Sequence, residues 1–305
     1  MAKSSAPTKR PAPKAAARGG RPAGLFTWVA VGLVIVVVAA LVIIKVASGS
    51  SSPTATNFQA ADPSVVSELT SIPTSTFNAV GVNSSVVAVT PPSLVKGQPS
   101  LTTTVNGKTL PEIFYEGGEY CPFCAAQRWT TIIALSRFGT WSGLGNMSSY
   151  SGDVYPNTPT FTFVKAHFTS KYVAFKSVEA YADAIDPATG QYQLLQVPTK
   201  AEQKLVAKYD NATYIKGASN GSIPFFSFAN KYFVAGASYT PAALAGLSRN
   251  QIASGLSSTS SPVTVAIIAS ANYQTAAICS LTNNRPSTVC QSAGVKAAKK
   301  VMGIK

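Results

Sequence analysis

Residues 116–129 read EGGEYCPFCAAQRW and hold two of the four cysteines in a chain of 305 residues. The reading of Cys121-Pro122-Phe123-Cys124 decides the fold. Before it, SLTTTV and LPEIFYE (100–105 and 110–116) alternate as two strands joined at Asn106-Gly107, the dipeptide preferred in two-residue hairpin turns. After it, Pro122 sits where a first helical residue tolerates proline. Apolar Ala125, Trp129, Ile132, Ile133 and Leu135 recur at helical spacing until Gly139. The local order is strand, turn with CxxC, helix.

Three chemistries compete for such a pair: a redox centre, half of a metal site, or an inert staple. The free N–H groups and dipole of a helix N-terminus favour a thiolate at Cys121, and Cys124 stands where it can resolve a mixed disulfide. Zinc needs a second close pair or added histidines, but Cys279 and Cys290 have ten residues between them and His167 is the sole histidine. Covalent haem needs His at position 125, which is Ala. A staple this short constrains little of the unfolded chain. The redox reading, with no cofactor, is the expectation. Cys279 and Cys290 flank NNRP between two helical segments and are read as a structural disulfide, with a second shuttle pair as the rival.

Compartment follows from the other end of the chain. Residues 25–44, LFTWVAVGLVIVVVAALVII, run without a charge for about 30 Å of helix, the thickness of a bilayer core. Six basic residues and no acid precede them, so the N-terminus is expected in the cytoplasm and the remainder outside it. The expected organisation is a basic tail (1–24), a transmembrane anchor (25–46), a flexible linker (47–59) and an extracytoplasmic domain (60–305) whose last part, about 261–305, is a helical extension. Half of the net charge of +14 lies in the tail and at the membrane edge. With no stripe of interleaved basic and aromatic residues elsewhere, nucleic acid is not an expected partner.

Further along, Asp62-Pro63 opens a short helix through PSVVSELTSI. TPTFTFV (158–164) alternates as a strand, with SKYVAFK (170–176) as its expected partner. Thr199 and Glu202 form a capping-box pattern ahead of a helix to about Tyr209. SIPFFSF and KYFVAG form a hairpin about Ala229-Asn230-Lys231, and Thr240-Pro241 starts a helix reaching about Leu256. Two more helical segments follow, PVTVAIIASANYQTAAICSL and STVCQSAGVKAAKKVMG. This order makes an α/β fold, a small mixed sheet flanked by helices.

EIFYEGGEYCPFCAAQRW and the later SIPFF turn resemble the thioredoxin superfamily. EYCPFCAAQRW, ALSRFGTWSGL, DVYPNTPTFTF and SIPFFSFANKY are similar to a family of membrane-anchored thioredoxin-like proteins called domain of unknown function 929, over roughly residues 60–300. The resemblance implies a thioredoxin-like fold with an insertion and a C-terminal helical extension behind one transmembrane helix. It implies Cys121 as nucleophile and Cys124 as resolving cysteine. Ile223 and Pro224 fall at the cis-proline position, where Ile223 offers its backbone to an extended substrate strand, with Phe123 as a further substrate contact.

Between the cysteines stands Pro-Phe, neither the Gly-Pro of thioredoxins nor the Pro-His of DsbA oxidases, so the redox poise does not carry over. Phe123 supplies no cation, and Glu116 and Glu119 oppose a thiolate. Arg128, one helical turn beyond Cys124, offsets them or serves only as a salt-bridged helix residue. The position of the buried acid that assists the resolving cysteine in some relatives falls nearer Tyr115 than Glu112 or Glu116.

The implied activity is thiol-disulfide exchange with exported proteins. The implied redox partner is a quinone-linked membrane oxidase or an electron-delivering membrane reductase. The rival from another class is a redox-inert binding or scaffold module of the envelope. Four Asn-x-Ser/Thr sequons, at Asn83, Asn146, Asn211 and Asn220, would suit that role.

Overall fold

The structure, a computed structural model, describes residues 58–82 and 85–305. The basic tail, the apolar stretch 25–44 and Asn83 lie outside the described residues. In chain order the helices are α1 (Pro63–Thr70), α2 (Thr74–Val80), α3 (Pro122–Ser136), α4 (Lys200–Tyr209), α5 (Arg249–Gly255), α6 (Pro262–Leu281), the single-turn α7 (Ser287–Cys290) and α8 (Ala293–Met302). The strands are β1 (Ser93–Leu94), β2 (Thr102–Val105), β3 (Lys108–Gly117), β4 (Gly139–Ser142), β5 (Gly145–Ser148), β6 (Pro159–Thr162), β7 (His167–Ser170), β8 (Ala174–Glu179), β9 (Tyr181–Ile185), β10 (Tyr192–Leu194), β11 (Phe225–Phe228) and β12 (Tyr232–Ala235).

The local turn chemistry holds. Asn106 and Gly107 both take positive φ and bring β2 back along β3, with Val105 opposite Lys108. Ala229 and Asn230 do the same between β11 and β12. Asp62 accepts the Ser64 N–H at 2.8 Å to start α1, and Thr199 and Glu202 close their capping box on α4.

β3 is the central strand of a six-stranded mixed sheet. The antiparallel path runs β1-β12-β11-β3-β2, and β8 adds to β3 in parallel, Glu112 to Gly117 against Ala174 to Glu179. Alternation along β3 splits the core in two. Ile113 and Tyr115 face α3, where they join Trp129, Ile132, Phe161, Phe163 and the apolar side of α6. Phe114 faces the other way, into a smaller cluster with Val178, Tyr209, Ile215, Phe225 and Phe233 beneath α4.

Three expectations are corrected. The strand at 174–179 does not pair with 159–162; it runs parallel beside β3, where Val178 is buried in the smaller core cluster, and 159–162 pairs with β5 instead. The helix expected from Pro241 to about Leu256 is a 3-10 turn, Pro241–Leu244, then a break, with Gly246 at φ +74°, and a fresh start at Ser248, whose capping box with Gln251 opens α5. The last helical segment is likewise divided at Gln291-Ser292 into α7 and α8.

Among the described residues, α6 alone is long and apolar enough to cross a membrane, with a mean hydropathy of 1.2. It is enclosed by the rest of the protein, packed against α2, α3 and α8. That burial makes it the core helix of this domain. It is not the stretch 25–44 expected to anchor the chain, which lies outside the described residues.

Candidate functional site

β3 ends at Gly117, and the chain turns through Gly118-Glu119-Tyr120 into α3, with the Cys121 N–H donating to Gly118 O at 3.2 Å. Cys121 is the N-cap of α3 in extended conformation, and its Sγ accepts the Cys124 N–H at 3.2 Å. The sulfur thus takes the capping role usually filled by a serine or aspartate oxygen. Pro122 follows at the first helical position, where its missing N–H costs nothing. Cys121 is 5% exposed and Cys124 0%; both are free thiols.

The peptide bond Ile223-Pro224 is cis, and Cys121 Sγ donates to Ile223 O at 3.9 Å. The structure therefore brings Cys121, Cys124, Ile223 and Pro224 together across 102 residues of sequence. Phe123 is at the surface, 37% exposed, with its ring edge-on to Tyr155 at 5.7 Å.

Behind the cysteines lies a buried ion pair that sequence reasoning half found. Arg128, on the Cys124 face of α3, is wholly buried; Nε donates to Glu179 Oε1 at 2.9 Å and Nη2 to Glu179 Oε2 at 2.6 Å. Nη2 also donates to Gly118 O at 2.8 Å, while Nη1 has no protein partner. Burial works against the Arg128 charge, but Glu179 outweighs it and raises the guanidinium well above its ordinary value. Glu179 further accepts from Tyr115 Oη and the Phe163 N–H, each at 3.3 Å. The acid that Tyr115 reaches thus comes from the adjacent strand β8. Burial pushes the Cys124 thiol well up, Cys121 adds to that, and Arg128 and the Gly118 N–H oppose it. The signal for Glu179 was a lone acid in the apolar run VAFKSVEAYA; what the sequence lacked was the parallel register that sets it beside Arg128.

Glu116 is elsewhere. It lies on the opposite face of β3 from Tyr115, toward α4, where burial and then Glu202 push its carboxyl up to about 7. Glu119 is buried, and burial raises its carboxyl too. Among the described residues no group of three or more His, Cys, Asp or Glu is placed to hold a metal. Cys279 and Cys290 are joined in a disulfide, their Cα atoms 5.6 Å apart.

Tyrosines unclaimed by the sequence reading form a rim over the pair. Tyr120, next to Cys121, stacks on Tyr192 of β10 with ring centroids 3.7 Å apart, and Tyr150 meets Tyr192 edge-on at 5.6 Å. Burial first, then the neighbouring Asp153, pushes the Tyr192 hydroxyl up to about 12. Tyr192 comes from the hairpin β9–β10 and Tyr150 from the loop 149–158, both of which lie between α3 and α4 in the chain.

The arrangement can carry thiol-disulfide exchange: a sulfur at a helix start, a second sulfur one turn in, and a backbone carbonyl beside the first. No curated protein and no solved structure matches the chain. Residues 99–280, well over half of the chain and the span from β2 through almost all of α6, match the model of one family, described as Domain of unknown function (DUF929), and the chain belongs to that family.

Proposed function

We propose that this protein is a thiol-disulfide oxidoreductase of thioredoxin-like fold, held at a membrane by residues 25–44 and acting on exported proteins. One observation carries the reading: Cys121 Sγ, the N-cap of α3, accepts a first-turn N–H and faces the backbone of Ile223. In the reducing direction the Cys121 thiolate attacks one sulfur of a substrate disulfide. The Cys121–substrate bond forms, and the other substrate sulfur leaves with the bonding pair and takes up a proton. Cys124, deprotonated, then attacks Cys121 Sγ; the substrate departs as a dithiol and the two cysteines are left as a disulfide. Run backwards, the same steps oxidise a substrate dithiol. Either direction needs a membrane partner, a quinone-linked oxidase or an electron-delivering reductase, to reset the pair.

The test is trapping. A Cys124→Ser chain expressed with its anchor should accumulate mixed disulfides with exported proteins that dithiothreitol releases, and Cys121→Ser/Cys124→Ser should show none. Absence of any adduct, with turnover of insulin disulfides no faster than the double variant gives, rejects the enzyme. The slight exposure of Cys121 favours a second reading, a redox-inert scaffold. It predicts a Cys121–Cys124 potential far below the roughly −270 to −120 mV span of redox catalysts.

A further inference from the structure

Acidic residues stop at Asp210. Residues 211–305 hold eight lysines and arginines and no aspartate or glutamate, and four of the eight fall in the last ten residues, as Lys296, Lys299, Lys300 and Lys305. α8 gathers them. It buries Gly294, Val295 and Ala298 and packs against α2, α6 and α7, three elements whose sequences contain no acid to answer the charge. Lys299 lies on that buried side too, its ammonium held by Asn284 Oδ1 at 2.5 Å and the Cys290 carbonyl at 3.2 Å. The opposite side is open. Lys296 and Lys300, one turn apart, are exposed beside a row formed by Ala293, Ala297 and Val301, and Val301 is 59% exposed. Side chains this small let a flat surface approach until both ammonium groups touch it.

We propose that this outer face of α8, with Lys305 beyond it, lies against the anionic headgroups of the membrane that anchors the chain. The inference rests on the reading of residues 25–44 as that anchor. A lysine ammonium is a compact charge that binds phosphate oxygens without a fixed geometry, and Val301 beside it suits the boundary between headgroups and acyl chains. Reach sets no limit. Residues 45–57, thirteen in all, extend at most about 45 Å, about the width of a domain of this size. Every face of the domain is therefore within range of the bilayer, and charge selects the one that docks. Each lysine adds little alone, but the anchor makes their contacts intramolecular.

Docking by this face orients the redox site. Arg137, the C-cap of α3, donates from Nη2 to the Oγ of Ser292, the N-cap of α8, at 3.2 Å. Cys121 opens the other end of α3, fifteen residues and about 22 Å away. The cysteines are thus carried at the end of their helix remote from the lipid contact. α4 covers the sheet face opposite α6 and is turned away from the bilayer with it.

The test is acylation of the full chain, reconstituted in vesicles, by a membrane-impermeant reagent, with each lysine followed by peptide mass spectrometry. In vesicles of phosphatidylcholine with phosphatidylglycerol, Lys296, Lys300 and Lys305 should react about tenfold more slowly than in phosphatidylcholine alone. Salt at about 1 M, where the screening length falls to about 3 Å, should restore their reactivity. Lys108, at the β2–β3 turn, and Lys200, at the start of α4, are exposed and should react alike throughout. In Lys296→Gln/Lys300→Gln, Lys305 should lose its protection. Equal reactivity in the two compositions overturns the proposal and leaves α8 to solvent or to an acidic protein. Protection spread evenly over Lys108, Lys200 and the α8 lysines overturns it as well, since no face is then selected, as does protection of Lys305 that survives the double substitution. If alkaline carbonate strips the chain from vesicles of either kind, the anchor reading fails, and the footprint taken before the wash still decides what covers α8.

Discussion

The molecule contains two pairs of cysteines with opposite surroundings. Cys279 lies in the last turn of α6 and Cys290 ends α7; both are wholly buried among apolar side chains and bonded to each other. The ammonium nearby, Lys299 Nζ, donates to the Cys290 carbonyl at 3.2 Å and not to a sulfur, and what the bond changes is the freedom of an unfolded loop. Cys121 and Cys124 sit at a helix start, with a backbone N–H on the first sulfur and a guanidinium behind the second. Here the surroundings act on thiolate charge, while the ring they close is too small to restrain much chain. A cysteine pair is thus told apart less by its spacing than by whether dipoles and charges converge on its sulfur.

Breaking the polar side of that contrast should cost most. Arg128→Met leaves Glu179 buried without its cation and should destabilise the fold by about 3–5 kcal/mol in denaturant titration. Glu179→Gln breaks the same pair, yet the two variants should move the ionisation of the Cys124 thiol in opposite directions. Removing the cation pushes the thiol further up and removing the anion lets it fall, read as thiolate absorbance against pH in the reduced protein. Equal shifts of one sign would reduce Arg128 and Glu179 to scaffolding.

On the apolar side, Cys279→Ala/Cys290→Ala should lower stability by about 2–3 kcal/mol and leave insulin turnover at the unaltered rate. Lost turnover in a folded protein would make these cysteines a shuttle pair and erase the contrast. Smallest of all, Phe123→Ala removes one exposed ring and its edge contact with Tyr155, worth about 0.5–1.5 kcal/mol. The effect should appear as a raised KM with the melting temperature lowered by a few degrees at most.

What the sequence made legible was local. Asn106-Gly107, the Asp62 cap, the Thr199/Glu202 capping box and the run from β3 through CxxC into α3 each rest on residues a few positions apart, and each stands in the structure. The break before α5 was also written locally, since Ser248 and Gln251 form a capping box that an unbroken helix from Pro241 overlooks. The site was legible in its sulfurs and in Ile223-Pro224. It was not legible in Glu179 or Tyr192, because each reaches the site through a pairing or stacking that depends on non-local register. Glu116 shows the same limit in reverse. Close to Cys121 along the chain, it points to the other face of the sheet, as two-residue alternation from Tyr115 requires.

The double glycine before the motif has a consequence for any comparison of relatives. A Cβ on Gly117 would lie 2.0 Å from Tyr115 Oη, which is held by Glu179, and one on Gly118 would lie 2.7 Å from the Tyr120 ring. Wherever a homologue retains those two tyrosines, neither glycine is free to drift. An invariant Gly-Gly in an alignment of this family would then record lack of room, and the search for catalytic positions should begin at the tyrosines and the acid that impose it.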